Sequence, residues 1–214
     1  MNLRDFNQVL FEQYNLLENV KELSSPLLVS SNNEYLNNMK NSSHRIFYIG
    51  QETNGWVNDY NNDSKIDVNL LEDIYLEVLK RKNNREFFRF LNNFSSMPYD
   101  NVVWTNVLLA GKKYGVGYPK ITDKLQELSL ENLIFLYKYF KPDITLFVSG
   151  PNNPYYEIVK SFLEAINSKI DNYPTITNPV INNKEKNIFW TYHPNYLNRA
   201  HLKEKVLNII KTSN

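Results

Sequence analysis

The chain has 214 residues, 24 Lys and Arg against 23 Asp and Glu for a formal net charge of +1, with 42% hydrophobic and 14% aromatic residues. Such a length and composition fit one folded domain with a proper core and exclude a disordered chain. The absence of cysteine excludes disulfides and thiolate metal sites. His44, His193 and His201 are the only histidines and no two have ligand spacing, so no metal and no cofactor is expected.

The opening MNLRDFNQVLFEQ lacks the apolar run of roughly 7–15 residues that a secretory signal needs, and no segment approaches the ~18 apolar residues of a membrane span. A cytoplasmic monomer with no membrane partner is therefore expected. A net charge near zero neither demands nor forbids nucleic acid, because local patches decide that. Asparagine is abundant but scattered, which reads as compositional bias rather than a tract with a role.

In chain order, residues 4–22 place Phe6, Val9, Leu10, Tyr14, Leu17 and Val20 at helical spacing, and the SSPLL of 24–28 interrupts them. Arg45–Ile49 is a short β-rich run that stops at Gly50, as a buried strand would. Residues 51–65 are polar and turn-rich, 68–82 and 85–94 read as helices, and 101–109 (NVVWTNVLL) as a strand end or a buried irregular segment. Residues 111–119 (GKKYGVGYP) form a loop, followed by a helix over 129–140 with Ser129 as N-cap and Lys141-Pro142 as its end. Asp143–Val148 is a second strand closed by Ser149-Gly150, 154–168 a helix, 187–192 a third strand closed by His193-Pro194, and 199–211 a terminal amphipathic helix.

No repeat or Gly/Ser linker divides the chain, so 1–214 reads as one domain with 1–40 as a helical extension packed on it. Strands alternating with helices predict an α/β fold, a three-layer α/β/α arrangement with a central, mostly parallel four-stranded sheet. Ligands in such sheets bind beyond the carboxyl ends of the strands. Gly50, Gly150 and His193 each follow an apolar run at once, so they converge on one sheet edge although far apart in sequence.

These stretches resemble the uracil-DNA glycosylase superfamily. Its first motif, of the form G-Q-D-P-Y or G-[IEL]-[NA]-P-G, is similar to Gly50-Gln51-Glu52-Thr53-Asn54-Gly55-Trp56. Its last motif, H-P-S-P-L, is similar to His193-Pro194-Asn195-Tyr196-Leu197, and its asparagine in an apolar run to Val103-Trp104-Thr105-Asn106. A strand ending in glycine before a helix matches Phe147-Val148-Ser149-Gly150. Order and spacing agree over roughly residues 45–210. The sequence departs from the family where Thr53 replaces proline, Glu52 stands for Asp or Asn, Asn54 replaces tyrosine, and Asn195-Tyr196 replaces Ser-Pro. These departures bear on substrate more than on fold.

The resemblance implies a monofunctional, metal-free DNA glycosylase that holds a uracil or modified pyrimidine outside the stack and hydrolyses its N-glycosidic bond. Glu52 would orient water and stabilise the oxocarbenium-like sugar, or else merely cap a turn. His193 would donate to the anionic leaving base, or else be satisfied by backbone at a strand end. Asn106 would read the pyrimidine edge, or else bond local backbone. The Gln51 N–H would donate to a base carbonyl. Phe87 and Phe88, in competition with Trp56 and Tyr60, would stack on the base or belong to the core. Asn54, smaller than the family's tyrosine, would admit a 5-substituted base.

For DNA contact the candidates are Lys112 and Lys113, then Arg199 and Lys203 with Lys205 and Lys211, and a cluster of Lys80, Arg81, Lys82, Arg85 and Arg89 offset by Glu86; a solvated helix face is the bland alternative. Tyr196 and Leu197 would form the wedge that enters the minor groove, or else a hydrophobic staple. The alternative to an enzyme is a non-catalytic DNA- or base-binding protein of the same fold. An unrelated hydrolase or nucleotide-binding fold lacks support, since G-x-S-x-G, Walker A and G-x-G-x-x-G are absent.

Overall fold

The computed structural model describes residues 1–53, 57, 66–81, 84–115, 117–168 and 172–212. Asn54, Gly55, Trp56, Tyr60 and Lys82 lie outside the described residues.

The strands are β1 (Ile46–Gly50), β2 (Val102–Asn106), β3 (Ile144–Phe147), β4 (Val180–Asn183) and β5 (Ile188–Thr191). They form one sheet in the order β2-β1-β3-β5-β4, in which only β4 runs antiparallel. The fold is thus α/β with a mostly parallel sheet, but of five strands rather than the expected four. The additional β4 pairs with β5 through the 184–187 turn, and only Val180 of its four residues is buried. A half-exposed edge strand carries no continuous apolar run, which is why VINN escapes a hydrophobicity-based reading. β1, β2, β3 and β5 are buried throughout, as strands covered on both faces must be.

The helices are α1 (Leu3–Asn15), α2 (Asn33–Asn41), α3 (Val68–Lys80), α4 (Glu86–Leu91), α5 (Pro98–Asn101), α6 (Asp123–Phe140), α7 (Tyr155–Ala165), α8 (Pro194–Arg199) and α9 (Lys203–Thr212). No helix is expected from the sequence at α2 or α5, and three of the expected helices differ. The predicted 4–22 helix ends at Asn15 and resumes as a 3₁₀ turn at Val20–Glu22. The predicted 129–140 helix begins at Asp123, with the Thr122 side chain accepting from the Leu125 N–H. Ser129 is no N-cap but a buried mid-helix residue, donating to the Leu125 carbonyl (2.7 Å) and accepting from the Leu109 N–H (3.0 Å). The terminal helix is two helices, broken near His201, whose φ of 56° no helix accommodates.

Residues 1–40 share the main core, contributing Leu3, Leu27, Val29, Tyr35 and Met39 to the cluster that includes β1 and β2. Buried Glu72 on α3 fastens this segment. Its carboxylate accepts from Asn7 Nδ2 (2.7 Å) and from the Ser31 hydroxyl (2.6 Å) and N–H (3.1 Å), and pairs with Arg4 (3.2 Å). No helix of the described residues is long and apolar enough to cross a membrane.

Candidate functional site

The parallel register decides which residues meet. Gly50 pairs with Asn106, and Ile49 lies level with Thr105 on one side and Phe147 on the other, Phe147 being level in turn with Trp190. The loops after β1, β2, β3 and β5 therefore leave from one edge. Val107 N–H donates to the Gly50 carbonyl, Gly150 N–H to the Thr191 carbonyl, and Gln51 Nε2 to the Ser149 carbonyl at 2.8 Å, so the loops are stitched to one another. A separate hollow, lined by Asn38, Ser42, Phe94, Ser96 and Met97, sits near His44 at the opposite edge and touches none of these residues.

Gly50 is the pivot of the edge. A Cβ there would come within 2.4 Å of the Asn106 amide and 2.9 Å of the Phe87 ring, so only glycine lets both approach. Phe87 is half-buried and lies against Tyr48 (centroids 4.6 Å), while its ring runs nearly parallel to that of His193 (25°, 6.0 Å). Phe88 is buried, with its ring edge-on to Trp104, and belongs to the core. Of the two phenylalanines, Phe87 is the one at the site.

His193 is the N-cap of α8, and its Nδ1 accepts from the Asn195 N–H at 3.2 Å. An accepting Nδ1 carries no proton, so the neutral ring carries it on Nε2 and presents Nε2–H as a donor. Burial, with a smaller contribution from the Arg199 cation, pushes the imidazole down to a pKa of about 4, so it is neutral at physiological pH.

Glu52 is half-buried, and its carboxylate accepts a short hydrogen bond from the Tyr155 hydroxyl at the start of α7. Burial raises the carboxyl above its ordinary value and the phenol donor partly offsets this. Glu52 and His193 share no hydrogen bond among the described residues: Glu52 is met by Tyr155 and His193 by the Phe87 ring.

Asn106 is 3% exposed. Oriented to satisfy its neighbours, its amide donates to the Thr105 carbonyl (3.1 Å) and accepts from the Thr53 N–H (3.2 Å). The Glu52 loop is pinned beneath by Thr53, whose hydroxyl meets that of Ser24 (2.9 Å) and the Gly111 N–H (3.2 Å). At Gly111 a Cβ would fall 1.7 Å from the Thr53 carbonyl oxygen, so backbone touches backbone beside Glu52.

Several expected DNA contacts are corrected. Leu197 is fully buried in the main core, so it is no exposed wedge. Tyr196 is half-buried against Tyr192 (4.7 Å). Lys203 pairs with Glu86 at 2.6 Å, and Arg89 reaches the same carboxylate at 3.4 Å. Arg81 pairs with Glu77 and Lys80 lies over the Tyr99 ring, so that cluster is largely committed within the fold. Arg199 is exposed, and Lys112 and Lys113 are half-exposed on the loop beside Glu52.

Tyr155 and the Ser24–Thr53–Gly111 junction escaped the sequence reading. Tyr155 carried a weak signal, opening the helix after Ser149-Gly150; nothing local marks Ser24. The class defined here is an α/β protein with a carboxylate, an aromatic face and a neutral imidazole at the carboxyl edge of a parallel sheet. No protein-family model and no curated protein matches the chain.

Proposed function

We propose that the chain is a DNA glycosylase of the uracil-DNA glycosylase type, with that superfamily's three-layer α/β/α arrangement. It holds a uracil or modified pyrimidine extruded from DNA and hydrolyses its N-glycosidic bond, leaving an abasic site. The observation that carries this reading is the Phe87–His193 ring pair seated at the Gly50 turn, two residues along the chain from Glu52.

Departure of the base places negative charge on the ring carbonyl and positive charge on the sugar. The base lies on the half-buried Phe87 face, and the His193 Nε2–H donates to the developing oxyanion. A neutral N–H donor suits this role because its hydrogen bond strengthens as negative charge grows on the base, favouring the transition state over the bound substrate. The Gln51 N–H and the Asn106 amide read the base edge. Glu52 orients water and offsets the sugar cation, with Tyr155 steering its second oxygen. Asn54, together with Gly55, provides room for a 5-substituent. Arg199, Lys112 and Lys113 supply phosphate contacts, and the chain acts as a cytoplasmic monomer without a cofactor.

A second reading, a base-binding protein without catalysis, draws on the fact that Glu52 is held by Tyr155 and Asn106 by backbone. Oligonucleotides carrying uracil, mismatched thymine or bulky modified cytosine separate the two. Alkali-labile abasic sites are expected on at least one, with loss in Glu52→Gln and His193→Ala. Cleavage indifferent to both substitutions would remove the assignment, and binding with no cleavage would favour the second reading.

A further inference from the structure

The loop that leaves Gly111 is built unlike the rest of the surface. Among the described residues the exposed aromatics are Tyr114 (77%), Tyr118 (53%), Tyr139 and Tyr173, and only this loop carries two of them within five residues. They are separated by Gly115 (φ 85°) and Gly117 (φ 83°), and beyond each glycine lies open space. Lys112 and Lys113 precede them, and the Lys113 ammonium sits 5.6 Å from the Tyr114 ring centre. The root of the loop is fixed, because Gly111 lies against Thr53 and Glu52 and Lys112 bridges to Leu23. The root thus lies directly against the loop that carries Glu52.

We infer that the substrate is unpaired, single-stranded DNA, and that Tyr114 and Tyr118 stack on bases flanking the target while Lys112 and Lys113 meet its phosphates. This deepens the proposed function and rests on it. Exposed aromatics beside a pair of cations are the chemistry of a strand whose base faces are free. In a duplex those faces are covered by their neighbours, and a base must first be levered out at a cost of about a few kcal/mol. Leu197, at the position that would do the levering, is fully buried. Gly111 anchors the root, and the Tyr114 and Tyr118 rings stand out in solvent, which suits a face that accepts a base rather than a wedge that forces a stack apart.

The test is fluorescence anisotropy with a labelled oligothymidylate and with a mixed-sequence duplex of equal length, neither containing a target base. The single strand is expected to bind more tightly by about tenfold or more, and Tyr114→Ala or Tyr118→Ala to weaken it roughly five- to 150-fold each. Tyr118→Trp is expected to restore binding, as a mere structural role would not. The tyrosine variants should leave the salt slope unchanged, whereas Lys112→Gln with Lys113→Gln reduces it by about 0.7 per lost phosphate contact. Equal or tighter duplex binding, or alanine variants that fold normally and bind as wild type, would overturn the inference. Tight single-strand binding with no cleavage of any modified base would sink only the glycosylase. Cleavage of duplex substrates without single-strand preference would sink only the present inference.

Discussion

Replacing His193 with glutamine is expected to flatten the acid side of the stability profile. In the unfolded chain the imidazole titrates near 6.5, whereas in the fold burial and Arg199 hold it down to about 4. Between these values the unfolded state binds a proton that the native state refuses, so stability falls as pH is lowered through this window. The loss attributable to His193 amounts to about 2.5 kcal/mol between pH 7.5 and 4.5, at ~1.36 kcal/mol for each unit of pKa difference. Glu52 acts in the opposite sense. Its raised carboxyl lets the native state bind more protons above the ordinary carboxylate range, so this contribution grows as pH falls and is lost as pH rises through the folded value. Both forms of the protein contain Glu52, so its contribution cancels in the comparison. The assay is urea unfolding of wild type and His193→Gln at half-unit steps from pH 7.5 to 4.5. Glutamine lowers stability by a constant amount at neutral pH, and the gap is expected to close or reverse by about 2.5 kcal/mol at the acid end. Parallel curves across the window would refute the buried, neutral histidine and, with it, the Nε2–H donor assigned to the site.

Tyr155→Phe removes the donor that stabilises ionised Glu52, so the carboxyl is expected to titrate higher still; carbon-13 NMR of the labelled glutamates reads this directly, and an unchanged Glu52 titration contradicts the contact. Leu197→Ala is expected to cost about 2–5 kcal/mol in urea unfolding, as for a cavity-forming core deletion, while DNA affinity of the folded variant stays put; the reverse pattern would restore Leu197 as a wedge. Glu72→Ala strands the buried donors of Asn7 and Ser31 and is expected to cost about 3 kcal/mol, with earlier proteolysis within residues 1–40; a neutral effect would mean that this segment is held by apolar packing alone.

How much was legible depended on the reach of each signal. β1, β3 and β5 announce themselves because both faces are buried, so apolar residues, interrupted only by Thr145 and Thr191, run to Gly50, Val148 and Tyr192. β4 does not, because an edge strand with one buried residue has no such run. Ser129 looks like a cap when read locally, but Thr122 bonds the Leu125 N–H and adds two turns to α6, and Ser129 is then spent on Leu125 and Leu109. Leu197 reads as an exposed apolar tip after a His-Pro turn, and only the packing of α8 into the core removes it from the surface. Lysine and arginine positions can be counted in a sequence, but the pairing of Lys203 and Arg89 with Glu86 spans 117 residues in the first case and a single helical turn in the second.

The sequence by itself determined the alternation of strands and helices, the parallel sheet, and the turn residues Gly50, Gly150 and His193 at the strand ends. These follow from short-range patterns of burial and backbone freedom, which the chain carries residue by residue. The tertiary structure alone decided that Phe87 rather than Phe88 faces His193, that Tyr155 holds Glu52, that Asn106 leans on Thr53, and that Tyr114 and Tyr118 are left in solvent beside them. Each of those depends on register between strands and on which helix face meets the sheet. Such contacts join residues up to about a hundred positions apart, as for Glu52 and Tyr155, with a separation of 103, and no local pattern encodes them.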